Sequence, residues 1–257
     1  ASPGRVEYVR YKPGTDFLAA FTLGLRAPAT GETREIALYG KCYTHRDYAA
    51  AARKIDDRRW AETPGIAPVT AVPELQAILY VFPNDRMLPG LRVLARSKRL
   101  CRLLGESLPE YPPSAWRISD KKLRLEVVRY KPEKRAVVRL TTRAVQRESG
   151  AKQTLCVYLR TYAGSRGEPA FRLMTRLCEH FAGESGPRLP RALAWVPASR
   201  LLLVEGLEGT PLTTWGEDAL ASVARHLALL QDSPLQALGA EITARTPADL
   251  LDDARAT

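Results

Sequence analysis

Apolar and polar positions along this chain change period several times, and each change marks an element. Val6-Glu7-Tyr8-Val9-Arg10-Tyr11 alternates as a strand does, and Lys12-Pro13-Gly14-Thr15 is a turn sequence. Residues 17–25 predict a second strand, residues 27–33 a turn containing Gly and Pro, and residues 35–43 a third strand. Together these read as an antiparallel meander. Residues 48–60 have helical composition with Arg, Lys and Asp outward, and a Pro-rich break follows. Residues 70–74 and 76–82 predict two further strands, the second strongly apolar.

The same order then recurs. Leu125-Glu126-Val127-Val128-Arg129-Tyr130-Lys131-Pro132 repeats the first strand and its turn, and without a gap Thr22 meets Thr141, Gly31 meets Gly150, Tyr39 meets Tyr158 and Tyr43 meets Tyr162. So long a period is too long for a solenoid unit and predicts two copies of a small domain. In the second copy strands are expected over residues 125–130, 136–144 and 152–162. A helix carrying Phe171, Met174, Leu177 and Phe181 at helical spacing follows, then strands over 192–196 and 201–204. Only this copy runs on, into a helical stretch over 218–230. Between the copies lie a basic helix over 91–104 and a loop, Pro109-Glu110-Tyr111-Pro112-Pro113, which marks a boundary. The expected division is residues 1–108, 109–212 and 213–257.

Composition narrows the class. A hydrophobic content of 45% with 26% charged residues is globular. A net charge of +11 implies attraction to nucleic acid, acidic membrane or phosphorylated small molecules, against the plainer reading of a solvated basic surface. Cys42, Cys101, Cys156 and Cys178 form no CxxC pair, which argues against a zinc site or a disulfide framework and for a reducing cytoplasm. No signal peptide or membrane-length apolar run is present, so no membrane partner is expected. The chain begins at Ala1 rather than Met, and Thr246-Pro247-Ala248-Asp249 opens a helix with no stop signal after it. The expectation is a fragment of a longer protein, or a natural protein cut short.

Three strands, a helix, two strands and an extended connector is the order of a protein-kinase-like small lobe. On Ile36-Ala37-Leu38-Tyr39-Gly40-Lys41 as a third-strand lysine motif, on Leu201 to Leu212 as a hinge, and on Leu220 to Leu235 as a first large-lobe helix, the sequence resembles the aminoglycoside phosphotransferase and choline kinase family. Residues 125–250 resemble it in order; residues 6–90 look like an additional small lobe. The resemblance implies an α+β fold of two kinase-small-lobe-like units, each an antiparallel sheet plus helix, in tandem, the second followed by helices. It implies ATP as cofactor, a small-molecule hydroxyl acceptor, and Lys41 or its counterpart Arg160 holding phosphates, with Glu168 pairing Arg160. Lys131, with Lys134 and Arg135 on the second hairpin, is placed to lie over such phosphates, against the plainer reading of an exposed hairpin. The connector residues Val204, Glu205 and Leu207 would flank the base. Arginine at 160 keeps the charge but is forked and bulkier than lysine.

No catalytic or metal-binding residue is assigned. Lys12-Pro13-Gly14-Thr15 and Lys131-Pro132-Glu133-Lys134 are single turns, with no GxxxxGK[ST] loop anywhere. His45-Arg46-Asp47 spells a kinase catalytic triplet, but it precedes the helix and lacks the following Asn, since Asn84 is the only asparagine. Mg²⁺ is expected only with a catalytic loop that these residues do not supply. His180 and His226 sit in helical patterns, and Asp252-Asp253 reads as a solvated turn.

The leading expectation is the N-terminal nucleotide-binding portion of a small-molecule phosphotransferase, inactive as 257 residues. The alternative is a non-catalytic kinase-like binding or regulatory module. A third reading, nucleic-acid binding, rests on charge alone: Arg96, Lys98, Arg99 and Arg102 on one helix, with Lys121, Lys122 and Arg124 before the second repeat.

Overall fold

The computed structural model describes residues 2–26, 31, 33–55, 60–62, 65–183, 187–207, 209 and 216–232. The fold is α+β, with two antiparallel sheets. The first is built from β1 (Ser2–Lys12), β2 (Asp16–Arg26), β3 (Thr33–Tyr43), β4 (Val69–Val72) and β5 (Ala77–Val81), in the order β1-β2-β3-β5-β4. The second holds β6 (Trp116–Ile118), β7 (Arg124–Lys131), β8 (Arg135–Gln146), β9 (Lys152–Tyr162), β10 (Ala192–Val196) and β11 (Leu201–Glu205). Its order is β10-β11-β9-β8-β6, with β7 also paired to β8. β6 and β7 share the outer edge of β8, β6 at its far end opposite Val145 and β7 along its first half. The very short β6, hidden behind Pro112-Pro113, was not anticipated by periodicity.

The repeat is structural as well as sequential. Phe17 pairs with Cys42, and Ala136 with Thr161; Lys41 pairs with Ile78, and Arg160 with Leu202. Each unit turns from its fourth to its fifth strand through one 3-10 turn opened by a Val-Pro step, Val72-Pro73 and Val196-Pro197. A left-handed residue closes each turn, Gln76 at φ 48° and Arg200 at φ 51°. The connector after the fifth strand is tied back identically: Phe82 N–H donates to Ala37 O at 2.9 Å and Gly206 N–H to Cys156 O at 3.1 Å. A Cβ on Gly206 would lie 2.5 Å from Cys156 Sγ, so only glycine permits that approach.

Helices differ from expectation in two places. α1 (His45–Ala52) begins earlier and ends sooner than the predicted 48–60, of which residues 56–59 lie outside the described chain. Thr44 sets its start: Thr44 Oγ1 accepts from Asp47 N–H and donates to Asp47 Oδ2 at 2.7 Å. His45-Arg46-Asp47 is therefore a capped first turn. The single basic helix over 91–104 is two, α2 (Leu91–Leu94) and α3 (Ser97–Ser107), separated by Arg96 at φ −117°, ψ 81°. At about 100° per residue an unbroken helix would put Leu100 and Leu104 on roughly the opposite side from Leu91. The break resets the phase, and all three enter one core.

That core lies between α2–α3 and one face of the second sheet, joining Leu88, Leu91, Leu94, Leu100, Leu104 and Leu108 to Val138, Leu140, Val157, Leu159, Leu201 and Leu203. β8 feeds it by strict alternation: Ala136, Val138, Leu140 and Ala144 are buried, while Arg135, Arg139 and Arg143 are exposed. α4 (Gly167–His180) occupies the other face, its Gly167 against the Trp195 ring. In the first unit a second core of Leu18, Ala20, Tyr39, Ile78 and Tyr80 packs under α1, and Tyr130 from the second unit packs into both cores. α5 (Glu217–Gln231) follows the second unit. Among the described residues no helix is long and apolar enough to cross a membrane.

Candidate functional site

The matched registers put cations in matched places. Arg10, Leu18, Lys41 and Ile78 form one cross-strand row in the first sheet; Arg129, Val137, Arg160 and Leu202 form its counterpart in the second. Directly paired residues share a face. Two residues before Leu18, at the start of β2, stands Asp16, and at the same place in β8 stands Arg135. The first unit thus sets one carboxylate among its cations, where the second sets a third arginine.

In the first unit the row is closed off. Lys41 is 4% exposed. Its Nζ lies 3.0 Å from Asp16 Oδ2 and 2.9 Å from Glu133 Oε2. Glu133 comes from the β7–β8 turn of the second unit. It also accepts from Arg10 Nη2 at 3.1 Å and from Arg86 Nε. Three cations therefore converge on one carboxylate. Burial alone would raise the Glu133 carboxyl, but the hydrogen bond and charge of Arg86, joined by Lys41, hold it below the ordinary range. Asp16 is likewise pushed up by burial and held lower overall by Lys41 and Arg10.

The turn that delivers Glu133 is itself anchored. Asp85 is fully buried and accepts from Glu133 N–H at 2.9 Å, Tyr130 Oη at 2.9 Å, Met87 N–H at 2.8 Å and Leu88 N–H at 3.1 Å. Burial raises the Asp85 carboxyl despite these donors, and it lifts the Tyr130 hydroxyl too, which stays a donor. Asn84 accepts from Ala61 N–H at 2.7 Å and donates to Ala61 O at 3.0 Å. The segment after β5 is thus consumed in internal contacts, Asn84 within the first unit and Asp85 and Arg86 across to the second. The apolar face beside Lys41 is filled as well, by Tyr39 stacked on Tyr80 at 4.8 Å, with Trp60 edge-on to Tyr80 at 5.6 Å.

The second unit is open by comparison. Arg160 is half-buried, its Nη1 3.7 Å from Met174 Sδ and its guanidinium 5.9 Å from the Tyr162 ring centroid. Among the described residues Arg129, Arg135 and Arg160 have no acidic partner within ion-pair distance. Glu168, expected to face Arg160, instead bonds Arg172 Nη2 at 2.5 Å, because the first turn of α4 carries it to solvent beside its neighbour four residues on. Lys131 reaches back to the first unit, 5.8 Å over the Tyr8 ring. Lys134 sits in a cationic rim: burial first, then the charges of Arg10, Lys12, Lys131 and Arg166, lower its pKa. Val204 is buried opposite Tyr158, Glu205 binds Arg191, and Leu207 is half-buried beyond the connector. Residues 208 and 210–212 of the expected hinge, residues 233–235 of the first large-lobe helix and the closing segment over 246–255 lie outside the described residues.

Lys41 and Arg160 therefore occupy equivalent nodes but are not brought into one site. Sequence reasoning missed Arg10, Asp16, Arg86 and Glu133. The signal was present in the aligned copies, where Gly14 falls on Glu133 and Asp16 on Arg135. Among the described residues no group of three or more His, Cys, Asp or Glu could hold a metal ion. No protein-family model matches the chain, and neither the curated proteins nor the solved structures contain a match.

Proposed function

We propose that the second unit is the ligand-carrying half and binds the phosphates of a nucleotide such as ATP, as the cytoplasmic nucleotide-binding portion of a small-molecule phosphotransferase resembling the aminoglycoside phosphotransferases. The observation that carries this reading is the uncompensated row Arg129–Arg160 with Arg135 beside it, in the register where the first unit grips a carboxylate. Such a set suits a phosphate chain, for which guanidinium offers forked, charge-assisted donors. Lys134 and Arg166 at the start of α4 extend the same positive field. Transfer chemistry is not expected from the described residues, since Asn84 is spent on Ala61 and no group of three or more His, Cys, Asp or Glu among them could hold a metal ion.

Calorimetric titration with ATP tests this. Binding is expected for the unmodified protein, with Arg160→Ala weakening it roughly tenfold or more, the loss of one charge-assisted contact. Lys98→Ala, on the exposed side of α3, is expected to bind as the unmodified protein does. Absence of ATP binding at millimolar concentration, or equal affinity in Arg160→Ala, rejects the reading. The second reading, a non-catalytic binding or regulatory module, is favoured by the internal capture of Lys41. It becomes the better account if ATP does not bind.

A further inference from the structure

Glu133 stands where the first unit has Gly14, and both residues are in the left-handed region, at φ 59° and φ 68°. Glycine accepts that conformation freely; a glutamate there is strained. What the glutamate gains is visible in its surroundings: Arg10, Lys41 and Arg86 all donate to it, and its side chain is 5% exposed. Three cations meet two carboxylates here, since Asp16 also pairs Lys41 at 3.0 Å and Arg10 at 3.3 Å, so the set keeps one positive charge in excess. Arg10 Nε is buried without an acceptor. The set resembles a receptor for an oxyanion more than a simple ion pair, because three donors from three segments of chain meet at one point.

We propose that Arg10, Lys41 and Arg86 form an oxyanion-binding site of the first unit, and that Glu133 is its tethered ligand. The hairpin turn of the second unit keeps the site filled; withdrawn, it leaves a pocket for a small oxyanion, a phosphate or a carboxylate. The site is independent of the nucleotide reading, which concerns the other sheet.

Chemical rescue of Glu133→Gly tests it. The substitution restores the residue that the first unit itself uses at this turn, so the backbone is accommodated while the carboxylate is removed. In potassium chloride the variant is expected to melt well below the unmodified protein. Potassium phosphate or potassium acetate at matched ionic strength is expected to raise its midpoint by about 5 °C, and the unmodified protein is expected to show no such difference. Rescue by phosphate alone, acetate alone or both supports the site and identifies its preferred oxyanion. Glu133→Gly/Arg86→Gln is expected to lose the rescue. Glu133→Asn, compatible with the left-handed turn and one methylene shorter, serves as the second opened variant. Equal midpoints in all three salts, equal stabilisation of the unmodified protein, rescue that survives Arg86→Gln, or opened variants that stay unfolded in every buffer overturn the proposal.

Discussion

Glu133 concentrates the energetics of the junction in one side chain. Removing one partner of a buried charge cluster leaves the others uncompensated, at a cost of about 3 kcal/mol. Glu133→Gln is expected to lose about that much at neutral pH. The pH dependence has a definite sign. The folded-state carboxyl lies below its ordinary value of 4.5, so its contribution is fully present above that value and disappears as pH falls through the lowered one. Asp85, raised by burial, acts in the opposite direction: its contribution is present below its ordinary value and lost as pH rises through the raised one. The quantity to measure is therefore the difference between the unmodified protein and Glu133→Gln by urea unfolding, from pH 7 down through the carboxylate range. It should shrink as the solution becomes more acid. A difference that stays constant below the ordinary range contradicts the assignment of a charged, cation-bound Glu133.

At the scale of elements, α2 and α3 belong by packing to the second sheet although they precede its first strand. Leu104 is fully buried in that core. Leu104→Ala is expected to cost about 3 kcal/mol in chemical denaturation, whereas Arg99→Ala on the exposed side should change stability by less than about 0.5 kcal/mol. Strands were readable because their pattern is dictated by one buried face, as in β8, where Arg and apolar residues alternate. The tandem units were readable because β1 and β7 keep their wording. The break at Arg96 was also legible in principle, since no single helical phase serves both Leu91 and Leu104. The site was less legible. Lys41 and Arg160 were identifiable from position, but the fate of Lys41 depends on Glu133 and Arg86, which are remote in sequence and meet it only after the second unit docks. Local pattern carries no record of that docking. The exchanges of Gly14 for Glu133 and of Asp16 for Arg135 between the copies were its trace.

At the scale of the molecule, the two units are related in an unequal way: the hairpin of the second enters the face of the first, while the hairpin of the first carries Tyr11 64% exposed and ends in Gly14. A contact of that kind is directional. If every hairpin carried the carboxylate, each chain would offer a plug at one end and a socket at the other, a heterologous head-to-tail contact. Gly14→Glu creates that situation: a Cβ at this turn meets nothing within 4 Å, and the left-handed backbone is the one Glu133 already adopts. The variant is expected to grow into head-to-tail assemblies with rising concentration in analytical ultracentrifugation, with molar salt or Arg160→Ala dispersing them. A monodisperse monomer at every concentration would show that the arginine face of the second unit does not accept this plug. If the assemblies form, the glycine at residue 14 is what ends the series in the unmodified chain, as the turn without a carboxylate.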